Sequence, residues 1–522
     1  MKIEGLDLRG NERICLRLMS DPAKWRARSV ERIDYSSALW VERKRIMHVE
    51  PLREVLGDLV PHRCKSAWIK LPVGNFPRKL LFGFDLTVGS RSAFRLPLWE
   101  SAGLHASHLV SLGNDLVTLL GDDKNGPLKD LLAEKELHTY LRAICGFESG
   151  PWRKAQEGVG KNQALAKYLF KGLCDPKAAK EEREAFVQSL KDWQRTLLPI
   201  RTDMQLRKLS DSPVANPLLA LPILKANKEL SSLDEVDKWI DALVSFYEIV
   251  RVSSGQTGNS EIKATATTIL DTYRFYGSYW TAIAECLVPL DEPFLVNVSE
   301  TREVTSEKRG NFSQKVASAL AMQRDDLGQV ATFGDAYSNH VSLRVSDASV
   351  EFDPKSVRVA ASEKWGNNPS AKRNLVETRH ELILVYSPPS TALRPHAIKI
   401  DCRLRPLLPI RMIHWVVTGI ALVTFLAITS GGAYFVGELT APHVALLLTP
   451  STFATAVLLA RESTSLSAAL LKPIRVILAI VLAVLWLLAI CQYLAGNIHL
   501  SVEESKSAIA ITPLPFRDPE SP

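Results

Sequence analysis

Two long uncharged apolar segments near the C-terminus constrain the fold of this 522-residue chain more than any other feature. They span residues 411–436 and 474–496, and after Arg411 and Arg475 neither contains a Lys, Arg, Asp or Glu. An α-helix rises about 1.5 Å per residue, so each segment is long enough to cross a hydrocarbon core of about 30 Å. The sequence therefore predicts membrane-spanning helices at 411–436 and 474–496.

A third apolar stretch, residues 439–460, is ambiguous. It carries no formal charge, but it contains Pro442 and Pro450. Pro442 would lie in the first turn of a helix, where its missing N–H costs little. Proline deeper in a membrane helix is tolerated when neighbouring groups bond the freed carbonyl. Hydropathy alone therefore leaves two or three crossings open.

The charges around the three stretches discriminate between these alternatives. Arg405 precedes the first stretch and Arg411 begins it, and both mark that side as cytoplasmic, because Lys and Arg accumulate in cytoplasmic loops. With three crossings, Arg461 and Lys472 lie in a cytoplasmic loop and the flexible acidic tail predicted at 497–522 lies outside. With two crossings, both basic residues would be external. The pattern favours three crossings of a cell (inner) membrane, with a cytoplasmic N-terminus and an extracytoplasmic C-terminus.

Composition limits what the first 411 residues can do. They contain 59 Lys and Arg against 51 Asp and Glu, an excess that suits work near anionic lipid. It falls far short of the dense basic patch of a nucleic-acid-binding protein, so no nucleic acid is expected as a partner. The seven cysteines are scattered and never paired as C-x-x-C, and the N-terminal residues lack the apolar run of a secretory signal. We therefore expect reduced thiols and a cytosolic location for this part of the chain.

Residue patterns divide the hydrophilic part into three regions of a multi-domain α+β protein. Residues 1–100 are basic and contain β signals, with a hairpin predicted around Gly89. Residues 101–290 have helical periodicity. Residues 291–406 contain short runs rich in Val, Ile, Leu and Thr, which predict a β-sandwich-like juxtamembrane module.

The helical region contains one strongly amphipathic stretch, residues 232–252. It begins with Ser232 and Glu235 in S-x-x-E spacing, the pattern of a capping box. The apolar residues that follow recur at helical spacing and form one stripe. A further helix is predicted near residues 260–288.

Two histidines are the candidate metal ligands of the sequence. His105 and His108 lie three residues apart on a predicted helix, so both can face one metal ion. His62 and Cys64 are candidates only by residue type. A closed metal site needs further ligands at suitable spacing, which the sequence does not offer here. Core or partly exposed histidines are therefore the preferred interpretation, and no cofactor is expected.

No residue pattern indicates catalysis. Ser, His and Asp residues are dispersed, and none stands in a nucleophile-elbow context, so we predict no catalytic residue. The favoured hypothesis is a membrane-anchored interaction or regulatory module; the alternatives are a membrane effector or pore component, and an enzyme acting at the membrane surface. Expected partners are the lipid bilayer and a protein bound by the cytosolic region. A second copy of the chain is a further candidate, because Ala427 and Gly431 have small-xxx-small spacing.

Three stretches resemble a group of uncharacterised bacterial, mostly actinobacterial, membrane proteins. They are GDAYSNHVSLRV at residues 334–345, ALLLTPSTFATAVLLARESTSLSAALLKPIRVIL at residues 445–478, and LLFGFDLTV at residues 80–88. The resemblance implies a β-rich juxtamembrane region followed by three C-terminal transmembrane helices, the second of which contains proline. That family has no established activity, so the resemblance implies no catalytic residue.

Overall fold

A computed structural model gives the fold of the chain. It describes residues 8–37, 40–77, 82–121, 126–157, 160–174, 180–206, 212–256, 258–303, 327–333, 335–353, 356–361, 372–378, 380–387 and 396–431, and then 466, 467, 470–472, 475, 476, 478–484, 487 and 491. The described part is a mixed α+β protein.

The helices of the described residues are α1 (Leu8–Ser20), α2 (Arg53–Leu56), α3 (Leu98–Leu120), α4 (Gly126–Ala133), α5 (Lys135–Cys145), α6 (Ser149–Gln156), α7 (Lys161–Leu173), α8 (Lys180–Thr196), α9 (Leu198–Leu206), α10 (Leu221–Ala226), α11 (Val236–Ser254), α12 (Ser260–Ser278) and α13 (Leu408–Gly431). The strands are β1 (Arg26–Tyr35), β2 (Trp40–Val49), β3 (Ser66–Pro77), β4 (Phe82–Val88), β5 (Arg91–Ser92), β6 (Phe94–Arg95), β7 (Tyr279–Pro289), β8 (Phe294–Glu303), β9 (Leu327–Phe333), β10 (Ser338–Val345), β11 (Val350–Phe352), β12 (Arg358–Ala361), β13 (Lys372–Glu377), β14 (Glu381–Ser387), β15 (His396–Cys402) and β16 (Leu404–Pro406).

The largest element is a mixed eight-stranded sheet, which we call the main sheet. Its strand order is β13-β14-β10-β1-β2-β8-β4-β5, and every neighbouring pair is antiparallel except β1 and β10. Strands β1, β2, β4 and β5 come from residues 1–100, and β8, β10, β13 and β14 come from residues 291–406. The two β regions that the sequence analysis separates therefore share one sheet.

One face of the main sheet is buried, as the pattern in β2 illustrates. The buried side chains of this strand are Val41, Arg43, Arg45, Met47 and Val49. Because successive strand residues point to opposite faces, these five share one face, and the residues between them form a more exposed face. Such one-sided burial is common in antiparallel sheets. Arginine inside the buried row is not part of this ordinary pattern.

Two smaller layers cover the buried face side by side. The three-stranded sheet β3-β7-β6 covers one half, where Ile69 and Ala284 pack with Val298 of the main sheet. The sheet β12-β15-β9 and the pair β11-β16 cover the other half. There the rings of Tyr35 and Phe352 meet edge to face, with centroids 6.4 Å apart. The layers give the β part a sandwich-like architecture with two apolar cores under one sheet.

The helices between β6 and β7 form a third core. It contains Tyr140, Phe186, Trp193 and Phe246, and it draws on nearly every helix from α3 to α12. The last of these helices ends at Ser278, and β7 begins at the next residue. The helical part is thus an insertion between β6 and β7 of the three-stranded sheet β3-β7-β6.

Residues 279–289 differ from the sequence prediction, which placed them at the end of a helix near 260–288. They form β7, which pairs with β3 along its length. Side chains of this strand are buried on both faces, so its apolar run YWTAIAECLVP shows no alternation that would mark it as a strand. Helix α1 is a second difference, because it lies within residues 1–100, for which the sequence predicts β structure. Its Ile14 and Leu18 pack into the core beneath β3.

The hairpin predicted around Gly89 is confirmed. Thr87 pairs with Ser92, and Val88 pairs with Arg91. Gly89 has a φ of +60°, in the left-handed region that glycine enters without steric cost. The turn chemistry was therefore readable from the sequence.

The predicted capping box is half formed. Glu235 Oε2 accepts a hydrogen bond from the backbone N–H of Ser231 at 2.8 Å, whereas the side chain of Ser232 makes no capping bond. This bond lowers the pKa of Glu235, and a backbone hydrogen bond from Ser232 and the positive charge of Lys238 act in the same direction. The carboxylate of Glu235 therefore caps this helix start without a bond from the Ser232 side chain.

The C-terminal helices follow the β part directly. α13 begins two residues after β16. Among the residues that the structure describes, we find no helix that is both long and apolar enough to cross a membrane. The predicted second span at 439–460 and the predicted acidic tail at 497–522 lie outside the described residues.

Candidate functional site

The predicted histidine pair lies on α3 and is buried. The ring of His105 stacks on Tyr276 of α12, with centroids 4.5 Å apart. His108 Nδ1 lies 2.8 Å from the Tyr276 hydroxyl, and its Nε2 lies 3.4 Å from Ser20 Oγ. Burial lowers the pKa of His108 to about 4, so the ring is neutral at pH 7. The pair joins α1, α3 and α12 through a hydrogen-bonded aromatic contact.

Metal binding by this pair has no further support. Within the described part of the chain, no group of three His, Cys, Asp or Glu side chains is placed to hold a metal ion. His62 and Cys64 lie apart from the pair, in the loop before β3, where His62 is exposed and the Cys64 carbonyl accepts a bond from Arg53. The structure thus gives both buried histidines a packing role.

A row of mostly buried charged side chains, together with one buried serine, crosses the main sheet between its two apolar cores. We call this row the charge band, and it comprises Arg26, Ser29, Glu31, Arg43, Arg45, Glu300, Arg302 and Asp335. Its members come from β1, β2, β8 and the residues just before β10. Apolar side chains of the first core flank it on one side, and those of the second core flank it on the other. It therefore marks the seam between the two covering layers.

At one end of the charge band, a single carboxylate holds two arginines. Asp335 Oδ2 is bonded by Arg45 and lies 3.3 Å from Arg26 Nη1, and its side chain is fully buried. Arg45 Nε also donates to Ser29 Oγ at 3.0 Å, and Arg26 donates to the carbonyl of Pro72 in β3. Burial lowers the pKa of Arg26 to about 10, against the opposing effect of Asp335. The carboxylate joins β1, β2 and the start of β10.

At the other end, two glutamates lie among three arginines. Arg43 is bonded to Glu31, and Arg302 is bonded to Glu300, while Arg43 Nε lies 3.8 Å from Glu300 Oε1. Burial alone would raise the pKa of Glu31, but Arg43, Arg45 and Arg302 hold it below its usual value. Burial lowers the pKa of Arg302 to about 10. Because these pairs cross three strands, they favour one strand register over its alternatives.

A second group of contacts forms at the end of β10, where the C-terminal helices begin. Asp347 lies in the turn between β10 and β11 and accepts a bond from the Ser349 N–H at 2.9 Å through Oδ1. The Ser349 carbonyl accepts from the N–H of Leu407, the residue before α13, also at 2.9 Å. Asp347 Oδ2 accepts from the backbone N–H of Ser467 at 2.9 Å. One turn thus contacts the chain on both sides of residues 432–465.

Apolar contacts accompany these hydrogen bonds. Leu466 and Leu470 are 1% and 3% exposed, and both belong to the core beneath β10, β11 and β15. Leu471 is fully buried and packs against Ile410 in the first turn of α13. We call the turn 346–350 together with Leu466, Ser467, Leu470 and Leu471 the junction. It is the candidate functional site, because here the folded part meets the C-terminal helices.

The helices that leave the junction expose large apolar side chains. The exposed residues of this kind are Met412, Ile413, Trp415, Val416, Ile420, Leu422, Val423 and Leu426 on α13, and Val476, Ile480, Val484 and Leu487 on the later helical residues. Leu478 and Leu482 are buried, so the later helix is apolar on more than one side. A helix that is apolar all round is typical of a buried or membrane environment.

Comparison with protein-family models, with curated proteins and with solved structures finds no match for this chain. The resemblance to actinobacterial membrane proteins therefore stays a prediction.

Sequence reasoning missed both the charge band and the junction contacts. The signal for the band was present in β2, where WVERKRIMHV alternates but places Arg43 and Arg45 in the same row as Val41 and Met47. The signal for the junction was weaker: Leu466 and Leu470 are four residues apart, which only predicts one helical face. What that face contacts depends on tertiary structure.

Proposed function

We propose that this protein is an interaction or regulatory module that is held at a membrane by its C-terminal helices. The observation that carries the proposal is the apolar surface of these helices, for example at Val416 and Val423 of α13 and at Ile480. Each Å² of apolar surface removed from water contributes roughly 25 cal/mol, so such a surface favours a hydrocarbon environment. The uncharged character of residues 412–436 agrees with this environment.

The junction also supports three crossings over two. Leu466 and Leu470 pack in the module that precedes α13, which requires them to lie on the same side of the membrane as that module. If α13 crosses the membrane, the chain must cross back before residue 466. The apolar stretch 439–460 is the segment available for this return. The stretch 474–496 would then carry the C-terminus to the opposite side.

A topology map tests the anchoring. Reporters fused after residues 438 and 510 are expected to be extracytoplasmic, and cysteine labelling at the exposed position 472 is expected to be cytoplasmic. A cytoplasmic residue 510 would contradict three crossings. Release of the full chain into the soluble fraction by alkaline carbonate would contradict membrane anchoring altogether.

The interaction role needs its own experiment. Phe94 is 82% exposed on the sheet β3-β7-β6, so a photo-crosslinking residue at this position can reach a bound protein. The same residue at the fully buried position of Leu71 serves as the control. We expect adducts with specific proteins at position 94 but not at position 71. If position 94 yields no adduct under any growth condition tested, and neither do exposed positions such as Trp68, the proposal fails.

A membrane effector or pore component is the second candidate. It is favoured by the hydrogen bond between the Ser349 carbonyl of the folded part and the Leu407 N–H before α13, and by the contact of Leu471 with Ile410 in the first turn of α13. This function predicts ion leakage on overexpression of the full chain and no leakage after deletion of residues 412–522. Leakage that persists after the deletion would exclude it.

A further inference from the structure

We propose that Leu466, Ser467, Leu470 and Leu471 form a latch, which docks into the β part and makes the arrangement of the C-terminal helices depend on the turn 346–350. The inference rests on the proposed membrane attachment and adds a mechanism of regulation to it. In the latched state, the turn fixes the start of α13 and the later helix together. Loosening the turn releases the later helix from α13.

Burial is the first observation that carries the latch. Leu466, Ser467 and Leu471 are each no more than 1% exposed, and Leu470 is 3% exposed, whereas the neighbouring Lys472 is exposed. A segment that merely connected two helices outside the fold would expose most of its side chains. Leu466 and Leu470 instead complete the same core as Tyr35 and Phe352, and Leu471 packs against Ile410.

The polar contact of the latch is equally specific. The two carboxylate oxygens of Asp347 have different tasks: Oδ1 accepts from the Ser349 N–H, which shapes the turn, and Oδ2 accepts from the Ser467 N–H, which holds the latch. A carboxylate that accepts backbone N–H bonds in this way acts as a capping side chain does at the first turn of a helix. Both distances are 2.9 Å, so one side chain joins the turn to the latch.

The latch reaches the first C-terminal helix by two routes. Leu471 packs directly against Ile410 of α13. The turn also bonds the residue before α13, through the Leu407 N–H and the Ser349 carbonyl at 2.9 Å. A change in the turn therefore acts at once on the start of α13 and on the latch. Because the turn is connected to both helical segments, it regulates how they are arranged and does not only hold the fold together.

Proximity crosslinking of the full chain in membranes tests the latch. Cysteines replacing Ile410 and Leu471 are expected to form a disulfide on mild oxidation, whereas a pair at Ile410 and the exposed Lys472 is the geometric control. Asp347→Asn keeps one acceptor oxygen for the turn and lacks a second for Ser467. We expect it to reduce crosslinking at 410 and 471 by about fivefold or more.

A matched variant separates the latch from a general effect of charge. Asp34 Oδ1 accepts from the Ser346 hydroxyl of the same turn but has no bond to the latch, so Asp34→Asn is expected to leave the crosslink unchanged. Labelling of Leu470→Cys by maleimide, read by peptide mass spectrometry, gives a second measurement. It is expected to be about tenfold slower than labelling of Lys472→Cys, and Asp347→Asn is expected to abolish the difference.

Two outcomes would overturn the latch. One is rapid labelling of Leu470→Cys in the otherwise unchanged protein, and the other is equal crosslinking in the Asp347→Asn and Asp34→Asn variants. Neither bears on membrane attachment, which carbonate extraction of the same samples reports. A protein that is released by carbonate but keeps the protected residue 470 would refute the proposed function and leave the docking contact standing.

Discussion

At the scale of single residues, the most informative feature is the burial of charge in pairs. Asp335 is fully buried and compensates Arg26 and Arg45, which are themselves almost fully buried. Removing one partner of a buried ion pair leaves an uncompensated charge in a low-dielectric interior. Replacement of the whole set by apolar residues is a different experiment, because desolvation then disappears together with the attraction. The effect of a single substitution on stability therefore measures how much the remaining charges depend on their lost partner.

We expect Asp335→Asn to lower the free energy of unfolding by about 3–5 kcal/mol, because Arg26 and Arg45 lose their common counter-charge while the side-chain volume stays the same. Glu42→Gln, on the exposed face of β2, is the control and is expected to change it by less than about 0.5 kcal/mol. Denaturant unfolding of the detergent-solubilised chain measures both. Equal effects would show that the charge band contributes no more than a surface charge.

A second residue-scale prediction concerns pH. The pKa of His108 is lowered by burial from its ordinary value of 6.5 to about 4. Below pH 6.5 the unfolded chain binds a proton that the folded protein takes up only near pH 4, so stability is lost as the pH falls through this window. The expected loss is about 3 kcal/mol.

The variant His108→Gln, whose amide can still bond Tyr276, isolates this effect. We expect the stability difference between the unchanged protein and this variant to shrink by about 3 kcal/mol from pH 7 to pH 4. Denaturant midpoints at several pH values give the measurement. A pH-independent difference would mean that the His108 ring is not buried in its neutral form.

At the scale of elements, helix α12 shows how close packing fixes the position of a helix. A Cβ built on Gly277 would lie 2.3 Å from both methyl groups of Val214. The absence of a side chain at this position is therefore required for the contact between the end of α12 and the residues before α10. Asn259 begins the same helix, and its side chain accepts bonds from the N–H groups of Glu261 and Ile262.

We expect Gly277→Ala to destabilise the fold by about 1–3 kcal/mol through overpacking. Val214→Ala in the same chain removes the two nearest methyl groups and leaves the Val214 Cβ 2.8 Å away, so it relieves part of the clash. The double variant should therefore be more stable than the sum of the two single effects predicts. Gly258→Ala is the control, because no atom lies within 4 Å of a Cβ built there. Additive effects of the two substitutions would contradict the close approach.

At the scale of the whole molecule, the main sheet makes residues 1–100 and 291–406 one folding unit. Strands β1 and β2 lie between β10 and β8, at the centre of the sheet, and β4 and β5 from the same region form one of its edges. Both ends of the charge band depend on this arrangement, because Arg26 and Arg45 at one end and Arg43 and Glu31 at the other come from β1 and β2. The β-rich juxtamembrane region is therefore incomplete without them.

We expect a fragment of residues 291–406 to remain unfolded when it is expressed alone, because β8 and β10 then lose the strands that separate and pair with them. A chain ending at residue 406 but retaining its N-terminus is the control, and it is expected to unfold cooperatively. Amide NMR dispersion and limited proteolysis distinguish the two. A cooperative transition in the short fragment would show that the region folds as a separate domain.

Local patterns account for the parts of the fold that the sequence predicted. The hairpin at Gly89 needs a turn residue with positive φ, and the helix at 232–252 shows its apolar stripe within a few turns. The sequence also predicts a helix for the two candidate histidines, and α3 carries both. Their burial against Tyr276 of α12, some 170 positions later, left no local signal.

By itself, the sequence determined the element types of most regions, one tight turn and the concentration of uncharged apolar residues at the C-terminal end. These properties depend on neighbours within a few positions along the chain. Only the tertiary structure decided that strands from both ends of the hydrophilic part alternate in one sheet, that buried charges separate its two cores, and that Leu466 and Leu470 return to that sheet. Each of these contacts joins residues far apart in sequence, and their selection depends on packing and charge pairing in three dimensions.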